Sequence, residues 1–230
     1  MYGKVKLSKR QIKEDKFMAF VLNTKQQFME NWQFYVIGII VVILAVIAVI
    51  YYNNSRQAKA QQAAQQFSQA LSDYRSGKTQ VAIMSFTQIL DDYPSDIVAE
   101  EATFLLGNIN LKSKNYPEAI RYYEMYLKKY KKNKLNRAAS LAGIASCYEN
   151  QTKYTDAAQK FIAAYNEYPD GPLVGDYQIS AMRNYLLAGD IEQAKQNLKI
   201  IEDKFKGTDL EKRAVRLFTE KSLLQNQNQG

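Results

Sequence analysis

The stretch NYPEAIRYY, residues 115–123, sets a pattern that recurs along the C-terminal part of the chain. Its alanine, Ala119, is followed four residues later by the large side chain of Tyr123, and the stretch closes at Tyr130-Lys131. Related stretches occupy residues 79–86, 153–161 and 190–198. Their alanines are 37, 38 and 37 residues apart: Ala82, Ala119, Ala157 and Ala194. A period of this length is typical of two helices joined by a turn, so the pattern predicts a series of helical hairpins.

Each copy of the pattern also predicts how its helices pack. Four residues after each alanine comes a large apolar residue: Phe86, Tyr123, Phe161 and Leu198. Twelve residues before each alanine lie Ala70, Gly107, Ala145 and Met182, and all but Met182 are small. Small residues on facing helices allow a close approach, and the bulky residue then fills the groove between hairpins. Gly77 and Gly189 fall at two of the expected turns.

These residues resemble the tetratricopeptide repeat family, with its small-small-aromatic pattern, its leucine-glycine pair at Leu106-Gly107 and its Tyr-Pro helix endings. The resemblance covers residues 63–224 and implies an α-solenoid of about four helical hairpins that bury their core by stacking. The period exceeds the family's usual length of ~34 residues. Three residues also depart from the pattern: Met182 at a small-residue site, and Lys131 and Lys206 in place of the terminal proline. Unrelated helical hairpins are the alternative.

The predicted helices follow from this register. The last one is expected to begin with Asp209 as its cap and to cover the open end of the stack with Leu210, Ala214, Leu217 and Leu224. The helices are predicted near residues 55–76, 79–92, 96–112, 117–131, 136–150, 154–167, 174–187, 191–205 and 209–224.

A second feature is the uncharged run VIGIIVVILAVIAVI at residues 36–50, which has two aromatic residues on either side. With these collars it extends over residues 34–52, close to the ~20 residues that a membrane-crossing helix needs. A buried core helix would usually show a polar stripe. Cleavage of the segment as a signal peptide, at Ala58-Lys59-Ala60, is a further alternative. The long polar segment before the run favours a retained anchor.

The charges around residues 34–52 predict the orientation of the chain. Seven lysines and arginines precede the run against three carboxylates, whereas only Arg56 and Lys59 follow it within twenty residues. The positive-inside rule therefore places the N-terminus in the cytoplasm. The repeat period and the Tyr-Pro endings resemble the bacterial envelope branch of the repeat family. We therefore expect a single-pass protein of the bacterial inner (cytoplasmic) membrane with a periplasmic C-terminal domain.

The chain is accordingly divided into five parts. The basic cytoplasmic segment carries a face made by Ile12, Phe17, Phe20, Val21, Phe28 and Trp32. This face suits a helix on the inner leaflet that turns into the membrane near Asn31, simple anchoring around the span, or a partner's groove. The parts are residues 1–33 (cytoplasmic segment), 34–52 (transmembrane helix), 53–78 (connecting helix), 79–224 (repeats) and 225–230 (disordered tail).

Composition argues against catalysis. The chain has no histidine and a single cysteine, Cys147, which lies in an apolar helical run and cannot form an internal disulfide. It contains no cluster with metal-ligand spacing, no phosphate-binding glycine loop and no nucleophile elbow. We therefore expect no enzymatic activity, no cofactor, no small-molecule substrate and no nucleic acid. The net charge of +8 is densest before the membrane segment, where topology and anionic lipid explain it.

The resemblance implies that the first helix of each hairpin lines a concave, polypeptide-binding face. The positions assigned to it are Phe67, Tyr74, Phe104, Asn108, Glu149 and Arg183, with Leu111, Ile179 and Leu186 beside them. The family's chaperone-tail clamps use basic residues where this chain has Phe67, Phe104, Ala142 and Ile179, so that specificity is not expected. Aromatic stripes at helical spacing are also typical of a core.

A second candidate surface is the densest basic run, which comprises Lys128, Lys129, Lys131, Lys132, Lys134 and Arg137. It is either a solvated helix end, where cations suit the helix dipole, or a docking patch for an acidic partner or lipid headgroups.

The layout of basic stub, single span and short repeat array is similar to the ancillary translocon-subunit (YfgM-like) family. That resemblance implies a membrane-anchored scaffold whose partners are translocon subunits, chaperones or exported polypeptides, with the bilayer contacted through residues 34–52. The alternative is a structural accessory subunit of another membrane complex, such as a respiratory, photosynthetic or envelope-assembly machine.

Overall fold

The computed structural model describes residues 9–94 and 97–228. The side-chain environments it describes lie between Lys16 and Ser222, with gaps at residues 23, 26–28, 30–31 and 95–96. Several predictions fall outside the described residues and stay predictions. They concern residues 1–8 and 229–230 and the side chains of Ile12, Phe28 and Leu224.

Over the described residues the chain is all-helical, without a strand. The helices of this described part of the chain are α1 (Lys9–Arg75), α2 (Thr79–Asp92), α3 (Ile97–Lys112), α4 (Tyr116–Lys129), α5 (Lys134–Asn150), α6 (Tyr154–Glu167), α7 (Val174–Leu187), α8 (Ile191–Lys204) and α9 (Asp209–Asn228). Helices α2 to α8 lie within two residues of their predicted bounds.

The first and last helices are longer than expected. Helix α1 begins at Lys9 and passes through Asn31 without the predicted turn. Residues 9–33 contain neither proline nor glycine, so nothing in the local sequence interrupts the helical hydrogen bonds. Helix α9 continues to Asn228, although residues from 225 onward were expected to be a disordered tail.

The chain divides into two compact units, Met1–Ala58 and Lys59–Gly230. In the first unit, the side chains at residues 34–52 are all exposed, and none of this apolar run packs into a protein core. By length and composition, the part of α1 from Trp32 to Arg75 is the one helix among the described residues that could cross a membrane.

The second unit is built from the predicted hairpins. The end of α1 pairs with α2, α3 with α4, α5 with α6 and α7 with α8, while α9 packs on α7 and α8. The repeat alanines and the small positions that precede them are buried as the pattern predicts, and Met182 is buried with them. These fully buried residues are Ala70, Ala82, Ala119, Ala145, Ala157, Met182 and Ala194.

The clearest case of a bulky residue that fills the space between hairpins is Tyr123 of α4. A Cβ added at Gly107 of α3 would lie 2.6 Å from its ring, and one added at Gly143 of α5 would lie 2.4 Å from it. The phenol donates a hydrogen bond to Oδ1 of Asn108 at 2.7 Å. Tyr123 is therefore held between two glycines on successive first helices, and the sequence pattern had identified only Gly107.

The turns inside the four hairpins share one geometry. In each turn, one residue has a positive φ: Gly77 (82°), Lys114 (59°), Thr152 (60°) and Gly189 (81°). The amide of the next residue bonds back to a carbonyl five residues earlier, as in Lys78 to Asp73 and Lys153 to Tyr148, both at 2.9 Å. This is a Schellman ending, which favours glycine but not absolutely. The two glycine turns were predicted, and the other two use residues that the sequence does not mark.

Helix α9 begins differently from the prediction. The helix starts at Asp209, and the capping oxygen is the hydroxyl of Thr208, which accepts from the amide of Glu211 at 3.4 Å. The Glu211 carboxylate in turn accepts from the amide of Gly207 at 2.5 Å. Thr208 and Glu211 are three residues apart, the spacing of a capping box, and Asp209 is not the cap.

Candidate polypeptide-binding surface

The first helices of the early hairpins carry aromatic side chains that are half buried. Phe67 of α1 meets the ring of Phe86 of α2 edge to face, with centroids 5.4 Å apart. Tyr74 lies under the ammonium group of Lys112 of α3, which is 5.8 Å from the ring centroid. These contacts are partly internal packing, so only part of each ring remains for a ligand.

Phe104 of α3 makes further ring contacts, and with Phe67 and Phe86 it forms the aromatic zone of the early hairpins. Its ring is tilted against Tyr123 at 6.3 Å and Tyr126 at 5.7 Å, both on α4. The Tyr126 hydroxyl donates to Glu100 Oε1 at 2.5 Å. Burial first, and then this bond to Glu100, raise the pKa of the Tyr126 phenol above its usual value. The phenol therefore stays protonated, and can donate this bond, to a higher pH than an ordinary tyrosine would.

The first helices of the later hairpins are joined by charged side chains. Glu149 of α5 accepts from Arg183 at 2.8 Å and from Asn184 at 3.2 Å, both on α7. Asp176 of α7 in turn forms an ion pair with Arg213 of α9. The structure thus links α5, α7 and α9 in one polar row.

Most of the predicted concave-face residues occupy positions where a partner could touch them. Phe67, Tyr74, Phe104, Asn108, Glu149 and Arg183 are all neither fully buried nor fully exposed. Ile179 and Leu186, which we had placed beside them, are 5% and 1% exposed and belong to the core around α8 and α9. Both lie in one apolar cluster with residues of α6, α8 and α9, and this packing buries them.

The basic run separates into two parts. Its lysines are exposed: Lys128, Lys129, Lys131, Lys132 and Lys134. Arg137 instead has only 15% of its side chain exposed and makes a two-pronged pair with Glu167 of α6, at 2.5 and 3.2 Å. It also donates to the carbonyl oxygens of Leu127 and Tyr130 at the end of α4. Arg137 therefore joins α4, α5 and α6 and is not free to dock a partner.

Sequence reasoning missed the contribution of α9 to this surface. Arg213 and Arg216 were not assigned any role, although Arg213 lies 37 residues after Asp176, which is one repeat period. Residues one period apart occupy neighbouring first helices, so the spacing itself was a usable signal. Among the described residues, no group of histidine, cysteine and carboxylate side chains could hold a metal ion.

Pairs of antiparallel helices that stack in register, each first helix touching the next, define an α-solenoid repeat protein. The comparison with protein families agrees: residues 25–169 match the tetratricopeptide repeat-like domain. This match covers more than half of the chain, and the protein belongs to that family. Its members are typically protein-interaction scaffolds that lack enzymatic activity.

Solved structures show the same fold. A crystal structure of kinesin light chain TPR-like repeats from Podosopora anserina superposes with a TM-score of 0.55 at 14% identity, covering 74% of this chain and 90% of that one. A tetratricopeptide repeat protein from Parabacteroides merdae gives a TM-score of 0.58 at 15% identity, covering 70% of this chain and 60% of that one. The comparison with curated proteins gives no match.

Proposed function

We propose that this protein is a membrane-anchored scaffold whose repeat array binds polypeptides or protein partners on the extracytoplasmic side of a bacterial inner membrane. One observation carries the proposal: an interaction-type repeat array occurs in the same chain as an apolar helix whose side chains at residues 34–52 find no protein core. Such a surface is costly to leave in water, and a bilayer removes it.

The charge distribution supports the orientation. The lysines and arginines before residue 34 outnumber those in the twenty residues after the apolar run, and the positive-inside rule then favours a cytoplasmic N-terminus. The repeat array is then periplasmic. Translocon subunits, chaperones and exported polypeptides are the partners that such a position offers.

The half-buried aromatic and charged residues of the first helices support binding at this surface. A polypeptide can bury the open side of rings such as those of Phe67 and Phe104 and pair with polar groups such as Asn108 and Arg183. No reacting group is required for this role, so the protein acts by binding and positioning.

Orientation is tested by protease added to spheroplasts that carry the full-length protein with an N-terminal epitope tag. We expect cleavage beyond about Asn53 and survival of the tagged N-terminal fragment. Loss of the tag with survival of the repeat array would reverse the topology and contradict the periplasmic assignment.

Binding is tested by placing a photo-crosslinking amino acid at single positions of the full-length protein in native membranes. We expect crosslinked partners from Tyr74, Phe104 and Arg183, and not from the matched control Gln196, which is exposed on the second helix α8. Mass spectrometry of the products would identify translocon subunits, chaperones or exported chains. Equal products from all positions, or a single stoichiometric membrane complex, would contradict this proposal.

A further inference from the structure

The first hairpin of the array, formed by the end of α1 and by α2, has no second helix before it, because α1 enters the array as a single helix. The next first helix, α3, buries one side against this hairpin through Val98, Ala102, Leu106 and Ile109. One repeat period of 37 residues before these positions, α1 carries Gln61, Gln65, Gln69 and Ser72, and all four are exposed. A side of the helix that is an interface in α3 is therefore open in α1.

Glutamine dominates this open side of α1. We call its five exposed amides the glutamine face, which consists of Gln61, Gln62, Gln65, Gln66 and Gln69. A recess of about 550 Å³ lies along it. Gln66 donates to the Tyr93 hydroxyl and Gln69 to Asp73, both at 3.2 Å. Within the described part of the chain, the other three glutamines make no side-chain hydrogen bond, so their amides are available to a partner.

The glutamine face carries no charge, since residues 60–72 contain no lysine, arginine, aspartate or glutamate. Each amide can both donate and accept hydrogen bonds. A row of amides can therefore pair with an identical row, whereas identical rows of one charge would repel each other. At the other end of the array, α9 instead exposes charged side chains: Lys212, Arg213, Arg216 and Glu220.

Helix α2 adds two exposed apolar side chains to this end of the array. Val81 is 48% exposed and Met84 is 66% exposed. The three later second helices, α4, α6 and α8, have only polar or charged residues at the corresponding positions: Glu118 and Arg121, Asp156 and Gln159, and Gln193 and Gln196. Apolar side chains beside a row of polar groups are typical of a protein interface. This second observation is independent of the glutamines.

From this arrangement we infer that the glutamine face binds the same face of a second copy of this chain, with Val81 and Met84 covered beside the paired amides. In a two-fold contact, one surface patch meets itself, and the amide row is the self-complementary patch that such a contact requires. The inference goes beyond the proposed function, and it holds whichever side of the membrane the array occupies.

The first test is disulfide crosslinking of the full-length protein in native membranes. Burial raises the pKa of the Cys147 thiol to about 11, so an introduced cysteine is the reactive one. We expect Gln61→Cys, Gln65→Cys or Gln69→Cys to give a covalent dimer on mild oxidation. The matched control is Gln196→Cys, which is exposed on α8 and should not. Equal yields from the face and the control, or capture of a different protein instead of a second copy, would overturn the inference.

The second test places charges in the contact. Gln65→Glu should weaken the dimer of the full-length protein in mild detergent about tenfold, because two like charges then face each other. Gln196→Glu is the matched control and should leave the dissociation constant unchanged. Analytical ultracentrifugation measures both. Because Gln65 is exposed and makes no side-chain hydrogen bond, circular dichroism of the variant should equal that of the parent protein.

A mixture of oppositely charged variants separates a true contact from an indirect effect. Copies with Gln65→Glu and copies with Gln65→Lys, carrying different tags, should pair with each other more tightly than either pairs with itself. No gain in the mixture, or a dissociation constant that none of the variants changes, overturns the assignment of the glutamine face. Crosslinks from Tyr74 and Phe104 would then still support the scaffold function, whose failure is read from those positions alone.

Discussion

The first helices of the early and late hairpins are held in place by different kinds of contact. Around α1 and α3, aromatic rings pack against the second helices, as in Phe67 on Phe86 and Phe104 on Tyr126. Around α5, α7 and α9, ion pairs bridge successive first helices. Aromatic burial contributes several kcal/mol per ring, whereas a half-exposed ion pair contributes about 1 kcal/mol or less. We therefore expect stability to depend mainly on the early hairpins and selectivity on the late ones.

The largest effect is expected from Phe86→Ala in the aromatic zone. Phe86 is fully buried, so its truncation leaves a cavity and should lower the free energy of unfolding by about 3–5 kcal/mol. Urea unfolding of the full-length protein in mild detergent, followed by circular dichroism, measures it. Phe86→Leu is the volume-retaining control and should cost clearly less. A loss below ~1 kcal/mol, or a loss that changes with salt, would remove the basis of the comparison.

The next effect is expected where the early hairpins meet the late ones. There Tyr123 lies between Gly107 of α3 and Gly143 of α5. Gly143→Ala puts a methyl group 2.4 Å from the ring and should cost about 1–3 kcal/mol. Tyr123→Leu in the same chain should recover part of that loss, because the two changes share one contact. Gly38→Ala is the control, since no atom lies within 4 Å of its added Cβ. Strictly additive losses would show that Tyr123 does not fill the space between these glycines.

A smaller loss of stability is expected at the hairpin turns, and it should be equal in the early and the late hairpins. Gly77→Ala and Gly189→Ala place a side chain at φ values of 82° and 81°, where an L-residue costs about 1–2 kcal/mol. No neighbour lies within 4 Å of either added Cβ, so the cost is one of backbone alone. Unequal losses in the urea titration would mean that the early and late hairpins differ in their turns as well as in their side-chain contacts.

The smallest effect is expected for the ion pair of the late hairpins. Glu149→Gln removes the charge that Arg183 faces, and since both side chains are partly exposed, the loss should be at most about 1 kcal/mol. It should fall further in high salt. The same titration at low and high ionic strength measures it, with Glu118→Gln at the exposed pair with Arg121 as the control. A loss comparable to that of Phe86→Ala would reverse the comparison.

Much of the fold was predictable because the repeat is visible as spacing. Alanines 37 or 38 residues apart located the buried positions, and glycine located two of the four turns. Lys114 and Thr152 adopt the same backbone at the other two turns, but neither residue type indicates a positive φ. Local sequence predicts such a turn only where glycine carries it, while the packed helices impose it elsewhere.

The candidate site was less predictable than the fold. Spacing identified which residues lie on the first helices, but not which of them pack inward, because Ile179 and Leu186 are buried in a cluster that several helices form together. Nor could sequence separate Arg137 from the lysines beside it, since its pairing with Glu167 depends on how α6 lies against α5. Contacts of this kind arise from tertiary packing, and no period in the sequence records them.

Because the turns share one geometry, a whole hairpin can be deleted or duplicated without changing the form of the turns. Lys114 and Thr152 end successive first helices in the same backbone conformation, 38 residues apart. A deletion of residues 115–152 would join Lys114 to Lys153, whose amide could take over the bond that Asn115 now donates to Asn110. Duplication at the same joint would add a hairpin in the same way. The number of hairpins, and with it the reach of the array, can therefore change while every junction keeps its present form.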